Sequence, residues 1–157
     1  MIGARRPAVW LFVAATVAYT ADRLTKLWAL EELAHHPPIT LIPKVLDLRY
    51  TDNSGGAFGV GQSAPWLFAT ATILASVAIV VASFYVRHRS VTVALGLILG
   101  GALGNLTDRL LRGDGFLTGR VVDFIDVHIW PVFNLADSAI VVGALLFAIT
   151  TFRRGEE

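Results

Sequence analysis

The sequence predicts an all-α polytopic membrane protein with four transmembrane helices and a small extracytoplasmic β-sheet on the outer membrane surface. Two observations predict this fold class. Of the 157 residues, 55% are hydrophobic and only 16% are charged, with a mean hydropathy of +0.63, which is far more apolar than a soluble domain of this size requires. Four separate stretches also approach the length of about 20 residues that a helix needs to cross a bilayer core of about 30 Å.

The four apolar stretches cover residues 8–30, 65–86, 91–109 and 135–152. The first stretch follows Arg5 and Arg6 and resembles the hydrophobic region of a signal peptide. Because its apolar pattern continues beyond Asp22 and three further stretches follow, we expect an uncleaved first membrane helix. Residues 1–157 are therefore treated as a single membrane-embedded domain.

Basic residues predict the orientation of this domain. Four spans put both termini on one side of the membrane, together with the short turn between the second and third spans. The basic residues on that side are Arg5, Arg6, Arg87, Arg89, Arg153 and Arg154. By the positive-inside rule that side is cytoplasmic, so the two longer connections, 31–64 and 110–134, are extracytoplasmic. Long loops on a rigid scaffold often carry function, and we expect the site there.

Both extracytoplasmic connections contain patterns that are typical of short strands. Leu46, Leu48 and Tyr50 alternate with polar residues, and the segment 121–129 is rich in β-branched and aromatic side chains. Alternation with period two indicates a strand with one face buried. We therefore expect a small sheet on the membrane surface.

The third apolar stretch carries glycines at regular intervals. Gly96, Gly100 and Gly104 are four residues apart, and Gly101 lies beside them. Small residues at this spacing let helix backbones approach closely in lipid. The pattern predicts tight packing of the third helix within the bundle.

Polar and ionisable residues occur within or beside three of the four spans. Such groups are costly in hydrocarbon, so they usually face the bundle interior or water and indicate function. The three clusters are Asp22 with Lys26, Asn105 with Asp108 and Arg109, and Asn134 with Asp137 and Ser138. The spacing puts the members of each cluster on one face of their helix. All three clusters lie toward the extracytoplasmic ends, which predicts one polar site beneath the strand that contains Asp123.

Spacing alone leaves two interpretations of these acids open. Asp22 with Lys26, and Asp108 with the adjacent arginine, are readily interpreted as neutralised pairs that stabilise the bundle. Asp123 and Asp137 have no base within four positions except Arg120, which would point to the opposite face of the strand. They could still be a solvated strand-end acid and a carboxylate stabilised by a helix start, or they could act together in catalysis.

Composition excludes several classes of chemistry. The chain contains no cysteine, which rules out disulfides, thiolate metal sites and a cysteine nucleophile. Its net charge of +1 does not indicate a nucleic-acid partner. The histidines, His35, His36, His88 and His128, lack metal-ligand spacing with carboxylates. We expect no metal and no cofactor, and solvated loop histidines.

Five segments in order resemble the lipoprotein signal peptidase family, whose members remove signal peptides from bacterial prolipoproteins. They are residues 22–26 (DRLTK), 53–58 (NSGGAF), 104–109 (GNLTDR), 121–125 (VVDFI) and 133–138 (FNLADS). The resemblance implies that Asp123 and Asp137 are the catalytic dyad of an aspartic endopeptidase. Arg23 and Gly56 depart from the family pattern, which usually has Gln and Ala there, and the connection between the two acids looks shorter than in some members.

The resemblance also implies roles for neighbouring residues and a substrate. The residues expected to bind substrate or support the dyad are Asn53, Gly55, Asn105, Arg109 and Asn134; those expected to be structural are Asp22, Lys26, Asp108 and Ser138. The implied substrate is a prolipoprotein whose lipobox cysteine carries a diacylglyceryl group, cut on the N-terminal side of that cysteine. The expected partners are this substrate and membrane lipids, and we expect a monomer in the bacterial cytoplasmic membrane.

Two other classes of protein compete with this interpretation. A small proton-coupled carrier also uses intramembrane Asp, Lys and Asn, but it would hold them near the middle of the bilayer. A non-enzymatic assembly factor would use the glycines and polar pairs only for packing. That second alternative gives Asp123 and Asp137 no task.

Overall fold

Four α-helices and three β-strands make up the structure, a computed structural model that describes residues 7–55 and 65–152. The elements are α1 (Pro7–Glu32), β1 (Ile39–Ile42), β2 (Leu46–Asn53), α2 (Pro65–Ser83), α3 (Arg89–Leu111), β3 (Val121–Asp126) and α4 (Leu135–Phe152). The helix ends are close to the predicted ones. The residues outside the described ranges include Arg5, Arg6, Gly56, Arg153 and Arg154, which carry part of the orientation argument and one departure from the family pattern.

Among the described helices, α2, α3 and α4 are long and apolar enough to cross a membrane. Helix α1 has sufficient length, 26 residues, but Asp22, Arg23 and Lys26 in its outer half lower its hydropathy. The structure therefore confirms three of the four predicted candidate spans by length and composition. The crossing by α1 stays a prediction.

Helix α3 is the centre of the bundle and packs against α1 on one side and α4 on the other. Its glycines make this possible. A Cβ atom at Gly100 would overlap the backbone of Ala15 in α1, and one at Gly101 would overlap the carbonyl oxygen of Ala136 in α4. Helices approach this closely only where one of them lacks side chains. The prediction that the glycine pattern serves close packing is confirmed.

Gly101 supplies a direct test of this packing. A Cβ there would also lie 2.9 Å from Ile140 Cγ1, so Gly101→Ala must push the start of α4 away. We expect a loss of about 1–3 kcal/mol despite the better helix propensity of alanine, measured as a lower thermal unfolding midpoint in detergent. Gly115→Ala is the control, because the nearest atom to its Cβ is the rotatable hydroxyl of Thr118 at 3.1 Å. An unchanged midpoint for Gly101→Ala would contradict the packing argument.

The strands form one antiparallel sheet in the order β1-β2-β3. Two of them, β2 and β3, match the predicted strands, although β3 ends at Asp126 and not at residue 129. The chain leaves the strand there because His128 adopts a positive φ of 61°. Strand β1 was not predicted, since it has only four residues and all of them are exposed.

One face of the sheet packs on the outer end of α1. Val122 and Phe124 of β3 form a buried cluster with Ala29 and Leu33 of α1. Since side chains alternate along a strand, Asp123 projects from the opposite face of β3. This packing fixes the position of Asp123 relative to the bundle.

Candidate active site

Asp123 is buried on β3, with 2% of its surface exposed. Asn53 pairs with Val121 in the β2–β3 register, which places it diagonally beside Asp123 on the same face of the sheet. Its Nδ2 donates to Asp123 Oδ2 at 2.9 Å. Asn53 is the last residue of β2, and the sheet register directs its amide toward Asp123.

Asp137 occupies the first turn of α4, where Asn134 is the residue that caps the helix. The backbone N–H of Asp137 donates to Asn134 Oδ1 at 2.9 Å, and the backbone N–H of Asn134 donates to Asp137 Oδ2 at 3.2 Å. These reciprocal bonds form a capping box. The local sequence thus fixes the Asp137 carboxylate at the positive end of the helix dipole.

Asn134 brings the two acids together. Its Nδ2 donates to Asp123 Oδ1 at 2.7 Å, so one residue bonds to both carboxyl groups. Asn105 supports the other side, where its Nδ2 donates to Asp137 Oδ1 at 2.8 Å. Backbone bonds between Phe133 and Ile125 hold the turn before α4 against β3. The sequence segments that contain the two predicted catalytic acids therefore meet in one site.

Arg109 lies on the same side of α3 as Asn105. Its Nη2 donates to the carbonyl oxygen of Gly55 at 2.8 Å, and its charge interacts with those of Asp123 and Asp137. Its Nη1 is buried and has no hydrogen-bond partner within residues 7–55 and 65–152. A buried guanidinium N–H without an acceptor is costly.

A cavity of about 550 Å³ is lined by both acids and by Asn53, Gly55, Asn105, Arg109 and Val121. Asp123, Asp137, Asn53, Asn105 and Arg109 form its polar end. The rest of its described lining is largely apolar and comes from α2, α3, α4 and the segment after β3: Phe68, Ala71, Thr72, Ala75, Ile98, Ala102, Trp130, Pro131, Val132, Phe133, Ile140 and Val141. The site therefore combines two acids with an apolar channel between membrane-length helices.

Asp108 faces away from this cavity, contrary to the expectation that it shares a face and an ion pair with Arg109. It forms an ion pair with Arg23 of α1, and its Oδ2 lies 3.0 Å from Lys26 Nζ. The polar residues of α3 point in two directions because α1 and α4 pack on different sides of the helix. Asn105 and Arg109 face the cavity, while Asp108 faces α1. The predicted pair of Asp22 with Lys26 is present at 2.9 Å.

The remaining predicted residues have local roles. Gly55 binds Arg109 through its carbonyl and donates its N–H to Asn53 Oδ1 at 3.0 Å, which fixes the Asn53 side chain. Ser138 donates to the carbonyl oxygen of Asn134 at 3.1 Å. His128 lies 3.0 Å from Asp47 Oδ2, so it is more than a solvated loop residue. No metal-binding group of three His, Cys, Asp or Glu occurs in the described part of the chain.

Charges in the site balance if the two acids share one proton. Burial, followed by the charge of Asp137, raises the pKa of Asp123 from 3.8 to about 7, against the hydrogen bonds from Asn53 and Asn134, which lower it. Arg23 and Lys26 already face Asp22 and Asp108, and Arg109 is the cation that remains for the dyad among the described cavity residues. Two carboxyl groups with one proton and one guanidinium are neutral, as burial requires.

Sequence reasoning missed two contributions to the site. They are Trp130, which lines the cavity, and the apolar wall that α2 supplies. Neither could be found by looking for polar residues. The alanines Ala71 and Ala75, four residues apart on α2, are the signal that was available, because small residues at helical spacing often mark a close approach or a groove.

Comparison with known proteins gives the same family that the motifs suggest. Residues 14–153 match the family described as Signal peptidase (SPase) II. The chain is 46% identical over 153 residues to the lipoprotein signal peptidase of Streptomyces coelicolor, covering 96% of this chain and 74% of the relative. It is 41% identical over 141 residues to that of Rhodococcus jostii, covering 90% and 71%.

A solved structure supports the fold independently. A bacterial membrane enzyme determined by the in meso method at 2.3 Å resolution superposes with a TM-score of 0.81 at 30% identity, covering 91% of this chain and 87% of the other. On its fold, its motifs and these relatives, the chain belongs to the signal peptidase II family.

Proposed function

We propose that this protein is an intramembrane aspartic endopeptidase that removes the signal peptide from diacylglyceryl-modified prolipoproteins. The observation that carries the proposal is the joint attachment of Asp123 and Asp137 to Asn134 in one cavity. Two buried acids held side by side are costly for a fold. They are what peptide hydrolysis without a metal or a nucleophilic side chain requires.

The reaction follows from one proton on two carboxyl groups. The ionised carboxylate removes a proton from a water molecule, and the resulting oxygen attacks the scissile carbonyl carbon. The protonated carboxyl donates its proton to the carbonyl oxygen. Collapse of the resulting gem-diol breaks the C–N bond: the protonated carboxyl gives its proton to the leaving nitrogen, and the other, ionised carboxylate takes a hydroxyl proton from the intermediate, so the dyad again holds one proton. The pair titrates as a unit, so the scheme needs no assignment of the proton to one acid.

Arg109 and Asn53 flank the acids as hydrogen-bond donors. The free Nη1 of Arg109, which lacks a partner among the described residues, supports a role in binding a substrate carbonyl or the developing oxyanion. Asn53 already holds Asp123, which supports a role in orienting the dyad. Asn105 and Asn134 support it from the opposite side.

The apolar part of the cavity suits a substrate that lies in the membrane. Ala71, Ala75 and Ala102 leave space between α2 and α3, where the apolar segment of a signal peptide could lie. The scissile bond would then meet the acids where the segment leaves the hydrocarbon. Membrane lipid and the prolipoprotein are the proposed partners, and we propose that the enzyme works as a monomer.

The proposed orientation of the bundle in the membrane follows from which helix ends carry the basic residues and which carry the acids. The guanidinium of Arg89 lies 3.6 Å from the ring centroid of Trp10, so the starts of α1 and α3 are at the same end of the bundle. That end is proposed to be cytoplasmic, with both termini. The acids lie at the opposite end of α3 and are proposed to face the extracytoplasmic side of a bacterial cytoplasmic membrane.

A cleavage assay tests the proposed function. Purified protein in detergent is incubated with a pre-lipoprotein that carries the diacylglyceryl group, and with the same protein lacking the lipid. We expect a product that begins at the lipidated cysteine, identified by mass spectrometry, and little cleavage of the unmodified control. Absence of this product from the lipidated substrate, with a folded enzyme, would overturn the proposal.

Cleavage should decline as the pH rises above neutrality. The pKa of Asp123 is raised to about 7, so above this pH the dyad loses the proton that the reaction needs. We expect kcat/KM to fall by about tenfold for each pH unit on this alkaline limb, measured in buffers from about pH 5 to about pH 9. Constant activity across that range would show that no shared proton is required.

A further inference from the structure

Helix α1 carries two ionisable side chains that take no part in the proposed chemistry although they are completely buried. Asp22 and Lys26 are each 0% exposed and lie one helical turn apart. An ion pair that only fills space is an expensive choice, because removing two charges from water costs several kcal/mol and apolar residues of similar volume often pack as well. The contacts of the two side chains indicate a second task.

Lys26 determines how the amide of Asn105 is turned. Its Nζ donates to Asn105 Oδ1 at 2.7 Å. An ammonium group can only donate, so the oxygen of that amide must face it and the NH2 group must face the other way. The NH2 group then donates to Asp137 Oδ1 at 2.8 Å. Lys26 is thus connected to the dyad through one side chain.

Asp22 determines where the first turn of α4 begins. Its Oδ1 accepts a hydrogen bond from the backbone N–H of Ala136 at 2.9 Å. The first N–H groups of a helix have no partner within the helix, and Asn134 caps only that of Asp137. Asp22 therefore caps α4 from a different helix. Gly104 makes room for it, since a Cβ at that position would overlap the Asp22 carboxylate.

We propose that Asp22 and Lys26 are positioning residues for Asp137: Asp22 fixes the backbone that carries it, and Lys26 fixes the amide that holds its carboxylate. The inference rests on the proposed function, because position matters for turnover only if Asp137 is catalytic. The two residues act through Ala136 and Asn105 and do not touch the substrate. The charge of Lys26 also acts on Asp123 and lowers its pKa, which the matched variants below separate from positioning because both members of each pair lose the charge.

Two matched pairs of variants separate positioning from simple stabilisation. Asp22→Asn and Asp22→Leu both lose the charge, but only Asn keeps an acceptor for the Ala136 N–H. Lys26→Gln and Lys26→Met both lose the charge, but only Gln keeps a donor for Asn105. We expect the Leu and Met variants to lower kcat by about 10²-fold, as small misplacements of catalytic groups do, with KM within about threefold of wild type. The Asn and Gln variants should regain most of kcat at a similar thermal midpoint.

Hydrogen exchange supplies a readout that needs no turnover. Exchange of the amides in residues 134–138 is measured by mass spectrometry in the wild type, Asp22→Asn and Asp22→Leu. We expect faster exchange at the start of α4 in the Leu variant only, because it lacks the cap. Equal exchange in the two Asp22 variants, together with equal kcat within each matched pair, would overturn the inference. If the wild type itself did not cleave, the proposed function would fail, while the exchange comparison would still decide whether Asp22 holds α4.

Discussion

Asp123→Asn and Asp137→Asn should each lower kcat by at least about 10³-fold while the protein remains folded. An amide has the shape of a carboxyl group but can neither accept the proton of the attacking water nor deliver one to the carbonyl oxygen. Asn134 can still hydrogen-bond to the amide oxygen at either position, but the new NH2 group faces a donor, Asn53 at position 123 or Asn105 at position 137, so a modest loss of stability is expected. The measurement is single-turnover cleavage of a diacylglyceryl-modified pre-lipoprotein, with the thermal midpoint recorded beside it.

Asp126→Asn is the matched control for these variants. Asp126 lies on the same strand as Asp123 and is also buried, but hydrogen bonds from Arg49 and from the His128 backbone hold its pKa below the ordinary value. Its substitution should affect stability and leave kcat within about threefold of wild type. Substantial turnover by either dyad variant would remove the aspartic mechanism. Equal losses in all three variants would indicate general damage to the sheet.

The motifs selected Asp123 and Asp137 as the candidate dyad, and the structure explains why spacing alone could not relate them. Asp123 and Asp137 lie on a strand and on a helix, so no periodicity relates them. They meet because Phe133 bonds to the backbone of Ile125 and because Asn134 serves both as helix cap and as donor to Asp123. The capping role was readable from an Asn three residues before an Asp at a helix start. The donation across to β3 was not.

The sequence did not predict which charged residues form ion pairs between different helices. Asp108 and Arg109 are adjacent, and an ion pair between them was a reasonable expectation. In the structure the two side chains lie on different sides of α3, because α1 and α4 pack on different faces of that helix. A buried charge on either face needs an oppositely charged partner there. Arg23 and Lys26 of α1 meet Asp108. Spacing within one helix tells which residues share a face, but not which helix will cover it.

Close packing was the better predicted feature because it depends on size alone. Gly100 and Gly101 lie on two sides of α3 and allow α1 and α4 to approach. The position of α2, which forms the apolar wall of the cavity, was not predictable. Helix α2 has no charged residue within Pro65–Ser83, and it contributes only apolar and small side chains to the cavity. Its place follows from tertiary packing against α3, for which a uniformly apolar helix gives no directional signal.

Arg109→Met should lower kcat/KM by about 10²-fold, the usual loss when one donor to a developing oxyanion is removed. The substitution removes Nη1, which has no partner among residues 7–55 and 65–152, and the bond from Nη2 to the Gly55 carbonyl at 2.8 Å. Arg109→Lys keeps the charge but not the rigid fork of donors. We therefore expect an intermediate loss for the Lys variant. Arg112→Met is the control, because Arg112 is on the next turn and binds Tyr50 and Asp52.

The pH profile of the two Arg109 variants then separates charge from hydrogen bonding. The positive charge of Arg109 interacts with the negative charge of ionised Asp123, so we expect its removal to raise the pKa of Asp123 further. The alkaline limb should move to higher pH in Arg109→Met and stay in place in Arg109→Lys, although both are slower than wild type. A limb that stays in place in the Met variant would mean that the guanidinium does not balance the dyad, and its contribution would then lie in substrate binding alone.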